Sequence, residues 1–275
     1  YTTSLDSTAE QQLADYYHND FNTKYRLKNE DKLPTSELLS TLSPTAKYWQ
    51  SQYLADNPYP LGEKAKLVQA SADNNYNLLH SKYHSFLLNF AQKFDFYDVF
   101  IIDNRSAEVV YSVYKEVDFA TSLLDGPYAN SNLALAFKQA KMINEDEITF
   151  VDYQQYLPSY NAPASFIATP IYNQGVHTST LIFQLSIDAL NVIMTERAGL
   201  GTSGETYLVG PDFLMRSDSF LDPENRSVVN SFRYPSIGKV KTLATELTQQ
   251  GKKGQQVITD YSGSLVLSSY QPINV

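Results

Sequence analysis

The stretch GTSGETYLVGPDFLMRSDS, Gly201 to Ser219, decides how the chain is read. Gly201, Gly204 and Gly210 punctuate it, Thr206 to Val209 is a β-branched and aromatic run, and Pro211-Asp212 is a turn signal. The spacing therefore predicts loop, strand, tight turn and strand. Tyr207 and Val209 would face one way and Thr206 and Leu208 the other, as in one strand of a half-buried antiparallel sheet. Spacing alone carries the stretch no further than a hairpin.

Upstream of it the chain alternates helical and strand-like runs. Leu5, Leu13, Tyr16, Tyr17, Phe21 and Tyr25 recur at helical spacing behind Asp6, Ser7 or Thr8 as caps, and that helix is expected to end near Leu33-Pro34. Ser36 to Thr41 and Ser43 to Asp56 read as two short helices, broken off by Asn57-Pro58-Tyr59-Pro60. From Asn74 to Phe94 a long helix is expected to bury the stripe Tyr76, Leu79, Tyr83, Phe86, Leu87 and Phe90. Strands follow at Tyr97–Asp103, Glu108–Lys115 and Glu147–Val151, with a helix at Asn130–Met142 before the third. Ala164–Tyr172 and Val176–Leu185 close as a hairpin over Asn173-Gln174-Gly175. Ile187–Arg197 is a linking helix capped by Ser186. Beyond Gly210, residues 217–236 read as loop, Ile237–Gln250 as helix, and Gln255–Thr259 with Ser264–Tyr270 as a last hairpin.

Gly-x-Ser-Gly-Glu-Thr-Tyr-Leu-Val-Gly at 201–210, followed by Met215 to Ser219, resembles the start of a membrane-proximal Cache (PDC) module. FYDVFIID at 96–103, VYSVYKEVDF at 110–119, LDGPY at 124–128 and YNAPASFIATP at 160–170 resemble the same receptors. Such modules occur outside the cytoplasm in bacterial sensor histidine kinases, chemoreceptors and nucleotide cyclases. The resemblance implies an α+β fold of two PAS-like antiparallel-sheet domains in tandem, hung on a long N-terminal helical segment. It implies that segment at 1–75, a membrane-distal domain at 76–197 and a membrane-proximal domain at 198–275. The family's last strand before the exit helix has no counterpart, so the proximal sheet is expected to be incomplete. The chain is then a periplasmic part of an inner-membrane receptor, anchored through segments outside Tyr1 and Val275, with a homodimer expected in the whole receptor.

Composition narrows the alternatives. The 275 residues carry 43% hydrophobic content, enough for a sizeable core, and a net charge of −9, which argues against a nucleic-acid surface. Having no cysteine, the chain has neither disulfides nor thiolate chemistry. No run is long and apolar enough to span a membrane. Twenty-one tyrosines supply flat surfaces with polar tips, suited to a wet pocket or an interface.

The candidate ligand site lies in the distal domain. Tyr111 and Lys115 share a face of the second strand, Asp118 opens the next loop, Tyr128 follows Gly126-Pro127, and Asp152 is placed at the end of the third strand. Tyr156 and Tyr160 sit in a Pro158-containing loop that could act as a lid, with Phe166 just beyond. A lysine can pair an anion, an aspartate an ammonium group, and tyrosines desolvate both, so a small carboxylate or amino-acid-like ligand is expected. His80 and His84, four apart, read as a hydrogen-bonding helix face and not as a metal site; no cofactor and no catalytic residue is expected. Gly201–Gly204 lacks the pattern of a phosphate loop or nucleophile elbow. Arg216 with Asp218 reads as an internal pair or turn. Two other readings stay open: a periplasmic hydrolase using Asp152 with Asp118 or Glu116, and a dimerisation or partner-binding module whose tyrosines form an interface.

Overall fold

Helices begin where a side chain can accept an orphan amide hydrogen: Asp6, Ser43, Asn74, Ser131, Ser186, Ser227 and Thr242 each take the N–H three residues on. The computed structural model describes residues 5–29, 31 and 33–273. Tyr1 and Val275, from which flanking segments are expected, lie outside them. The chain divides between Leu185 and Ser186 into two compact units.

The first unit opens with α1 (Ser7–Asp15), which runs through a π-helical turn (Tyr16–Phe21) into α2 (Asn22–Asn29). That turn rotates Tyr16, Tyr17 and Phe21 into the core. The helix stops at Asn29, short of the expected Leu33-Pro34. After α3 (Thr35–Ser40), α4 (Pro44–Gln50) continues into a second π-helical turn, Ser51–Ala55. Then come α5 (Asn75–Lys93), β1 (Phe96–Asp103), β2 (Val109–Ser112), α6 (Asn132–Ala140), β3 (Thr149–Tyr156), β4 (Ala162–Asn173) and β5 (Val176–Leu185). The strands form one antiparallel sheet in the order β2-β1-β5-β4-β3. Gln174 and Gly175, both at positive φ, make the two-residue turn between β4 and β5. On one face Phe100, Ile102, Phe166, Ala168 and Ile182 pack with α6 and the N-terminal helices; on the other, Val99 and Val113 pack with Ala91, Leu87 and Leu88 of α5.

The apolar stripe read on α5 is buried only in part. Tyr76, Leu87 and Phe90 pack inward, but Leu79, Tyr83 and Phe86 are exposed, while Asn77, His80 and His84 are buried. Hydrogen bonding decides it: His80 Nδ1 meets the Val68 carbonyl at 2.7 Å, and His84 bridges the Tyr111 hydroxyl (2.7 Å) and the Ala65 carbonyl (2.6 Å). The histidines form the hydrogen-bonding face read from their spacing, turned inward.

In the second unit α7 (Ile187–Met194) precedes the Gly201–Ser219 stretch, and α8 (Val228–Arg233), α9 (Pro235–Gly238) and α10 (Leu243–Gln249) lead to the β6 (Gly254–Thr259) and β7 (Leu265–Tyr270) hairpin. Here the reading needs three corrections. Residues 206–209 make no strand; Val209 and Met215 form one isolated bridge. Side chains have taken the amides that a ladder would need: Leu208 N–H donates to Ser217 Oγ, and Glu205 accepts from the amides of Phe220 and Leu221. The segment read as loop contains α8, and the helix read over Ile237–Gln250 is interrupted after Gly238. The fold class is nonetheless α+β, with an antiparallel sheet and N-terminal helices.

Candidate functional site

Strand β1 carries an acid in the middle of an apolar run, and the site grows from it. Asp98 shows no exposed surface; its Oδ1 accepts the amides of Val99 (2.6 Å), Val113 (2.8 Å) and Tyr114 (3.2 Å), and its Oδ2 the Ser112 hydroxyl (2.7 Å). These donors end β2 and force the chain into the loop 113–121. Lys115 turns there at φ +56°, its amide on Ser112 Oγ (2.9 Å) and its ammonium on the Ser112 carbonyl. The left-handed turn is strained for a lysine and holds because both polar ends are satisfied.

The Lys115 ammonium is 98% buried and lies 4.3 Å from the Tyr111 ring centre, with Phe119 at 5.3 Å and Tyr53 at 5.6 Å. Burial lowers its pKa and the Asp98 charge works the other way. Among the described residues it forms no ion pair. The loop is fixed from the other side by Gln50, which donates to the carbonyls of Val117 (2.9 Å) and Phe119 (2.8 Å) and accepts from Tyr17 (2.6 Å).

Directly after Lys115, a pair of acids sits in the same loop, Glu116 and Asp118. Glu116 keeps some contact with solvent; it accepts the hydroxyls of Tyr97 (2.9 Å) and Ser159 (2.8 Å). Asp118 is fully buried, accepts the Tyr156 hydroxyl through Oδ2, and has no hydrogen-bond partner for Oδ1. The buried hydroxyl of Tyr128 is also without one. Burial, then neighbouring acids, push Glu116 up to about 8; burial pushes Asp118 up to about 7, with the Tyr156 bond opposing. Burial likewise raises Tyr16, Tyr17, Tyr128, Tyr156 and Tyr160. The arrangement offers acceptors without matching donors, which is the chemistry of a cation site.

No known protein-family profile matches the chain, and no curated protein matches it. Solved structures do. The chain is similar to a domain of a sensory box/GGDEF family protein from Vibrio parahaemolyticus, at 14% identity over 90% of this chain and 84% of that one, with a TM-score of 0.43. It is similar to the ligand-binding domain of the Pseudomonas fluorescens chemoreceptor CtaA bound to L-serine, at 16% identity over 82% and 74%, with a TM-score of 0.35. A third is the sensor domain of the V. cholerae histidine kinase DctB, at 11% identity over 79% and 70%, with a TM-score of 0.36.

The expected site residues fall into three groups. Tyr111 and Lys115 stack together, with Tyr111 also held by His84. Asp118, Tyr156 and Phe166 form a second set, the Tyr156 and Phe166 rings 5.4 Å apart edge to face; Tyr128 lies near Asp118 through the electrostatic field it feels. Tyr160 is buried at φ +60° against Phe21 (5.1 Å), with Lys24 and Lys28 over its ring. Asp152 does not end its strand: β3 runs on to Tyr156, and the half-buried Asp152 carboxylate accepts the Tyr153 amide at 2.7 Å. Asp98, Glu116, Ser159, Tyr97 and Gln50 were not picked out as ligand-site residues. An acid inside FYDVFIID was the legible signal for Asp98; Gln50 and Ser159 reach the site only through the fold.

Proposed function

We propose that the first unit is the ligand-binding part of an extracytoplasmic sensor, of the kind carried by a transmembrane histidine kinase, and that its ligand is a small molecule with an ammonium group. The carrying observation is the unpartnered Asp118 Oδ1 beside Glu116 and the unpartnered Tyr128 hydroxyl, enclosed by tyrosines. A buried acceptor without a donor costs about 1–3 kcal/mol, and an ammonium group relieves that cost. Lys115, expected to pair a ligand anion, is engaged with the Ser112 carbonyl and three aromatic rings, which favours the cation over the carboxylate as the recognised group.

Because Asp118 is fully enclosed, a ligand enters only through an arrangement in which the 113–121 loop or the Leu157–Asn161 turn has moved. Binding then favours one arrangement of the loop over another, and segments flanking the chain would carry that difference across a membrane. Among the described residues no helix is long and apolar enough to cross one. The hydrolase reading has less behind it: Asp118 is closed to bulk water, and Asp152 is occupied by its neighbour's amide.

A thermal-shift screen of primary amines and amino acids tests the reading, the latter being the compounds named for the similar chemoreceptor domain. A ligand at about 100 times its Kd stabilises the protein by about 2.7 kcal/mol, and Asp118→Asn or Glu116→Gln weakens the response tenfold or more. A panel without one stabilising compound, or a stabilisation that both variants retain in full, contradicts it.

A further inference from the structure

The interior of the first unit holds an uneven set of charges. Asp98, Glu116 and Asp118 supply three acids against the single buried amine of Lys115. Asp98 is the best held of the three as an anion: burial raises it to about 6, but four donors converge on it and the Lys115 charge works the other way. Nothing comparable serves the other two. Glu116 has two hydroxyl donors; Asp118 has one, beside the poorly directed amides of Asp118 and Phe119, and neither forms an ion pair among the described residues. With Asp118 closed off and Glu116 only partly open to solvent, charging both carboxylates without a counter-ion is costly.

The groups facing this pair add little positive field. From β1 come Asp98 and Tyr97; from the π-helical turn Tyr16 and Tyr17, with Asp20 beside Tyr16; after the loop Tyr128; from the end of β3 Tyr156, with Tyr160 just beyond. Each of these is an acid or a phenol, and the nearest amines are engaged elsewhere: Lys115 on the Ser112 carbonyl, Lys64 on the Asn57 carbonyl, and Lys24 and Lys28 over the Tyr160 ring. The positive charge that Asp118 lacks is then a proton or a ligand.

Resting on the reading of this cluster as the ligand site, we propose that the ligand-free Glu116–Asp118 pair holds protons at neutral pH and that a cationic ligand binds by taking their place. The sensor then reports the ligand and the acidity of its surroundings together. The raised pKa values of both acids agree with a proton-loaded resting state. For each proton displaced, ligand affinity falls about tenfold per pH unit below about pH 7.

Infrared difference spectroscopy on the whole protein reads the protons directly. Ligand-free protein at about pH 6 shows the carbonyl stretch of a buried carboxylic acid, which disappears by about pH 9 and is reduced in Glu116→Gln and in Asp118→Asn. Methylammonium chloride added at about pH 6, at concentrations that raise the melting temperature, removes the same band. Stability supplies a second readout. A carboxylate whose folded pKa is raised contributes stability below its unfolded pKa and loses it as pH rises through the folded value. Between about pH 4.5, where the unfolded carboxylates ionise, and about pH 7, wild-type protein therefore loses stability relative to each variant. Lys115, lowered by burial, works in the opposite sense above pH 7 and is common to all three proteins. A band that never forms, that persists at about pH 9, or that survives saturating methylammonium overturns the proposal. A proton-loaded pair with no thermal response to methylammonium or to the amine panel overturns it at the site reading beneath it.

Discussion

Each unit sets a carboxylate against a tyrosine hydroxyl, half-buried in the second unit and fully buried in the first, and they treat it in opposite ways. In the second unit Glu205 accepts from Ser219 Oγ (2.8 Å), the amides of Phe220 (3.0 Å) and Leu221 (3.2 Å), and the Tyr261 hydroxyl. Every donor is a loop it ties down. In the first unit Asp118 takes one phenol and keeps an oxygen unpaired in the interior. A carboxylate saturated by its own chain is a structural knot, whereas one left short of donors is a place for something to arrive. Asp98 belongs with Glu205 by this measure, although it lies in the same loop system as Asp118.

Substitution separates the two kinds, and the largest effect falls on the knots. Asp98→Asn replaces an acceptor that meets three amides and a hydroxyl, so chemical denaturation registers a loss of about 3 kcal/mol; Glu205→Gln costs about 2 kcal/mol. Losses below about 0.5 kcal/mol in both would erase the distinction. Next comes acid lability. His80 and His84, lowered by burial to about 2 and about 4, contribute stability above the unfolded value near 6.5 that is lost as pH falls toward the folded values. From about pH 6.5 down to about pH 4.5 wild type loses about 2 kcal/mol relative to His84→Gln, a comparison in which the opposing contribution of the raised acids Glu116 and Asp118 cancels. The smallest effect belongs to Asp118. Without ligand, Asp118→Asn at about pH 8 raises stability by about 1 kcal/mol, because it removes a charge that burial penalises; a loss as large as that of Asp98→Asn would make Asp118 a knot as well.

Much of the first unit was legible because its elements carry local signals. The helices read from Asn74 and Asn130 form, with Asn74 and Ser131 as their caps, and Gln174-Gly175 closes the β4–β5 hairpin. The burial of His80 and His84 on α5 was not, since an apolar stripe at helical spacing outweighs two histidines until the carbonyls of Ala65 and Val68 are in place. Residues 206–209 failed for a related reason: β-propensity gave way to side chains such as Ser217, which takes the Leu208 amide, so the pairing of 208–210 with 214–216 stops at one bridge. In the proposed site, Asp118, Tyr128 and Tyr156 were named by residue type in the loops around the strands, and the structure buries all three. Asp152 was misplaced because β3 continues five residues past its expected end at Val151. Gln50 and Tyr17, remote in sequence, become visible only when α4 and the π-helical turn meet the loop.

The most direct test is a crystal structure of the protein with the most strongly stabilising amine from the screen. The account predicts its nitrogen within roughly 3 Å of Asp118 Oδ1 and the Tyr128 hydroxyl, with Glu116 as the next acceptor. An amine bound elsewhere, with those two atoms still unpaired, contradicts it.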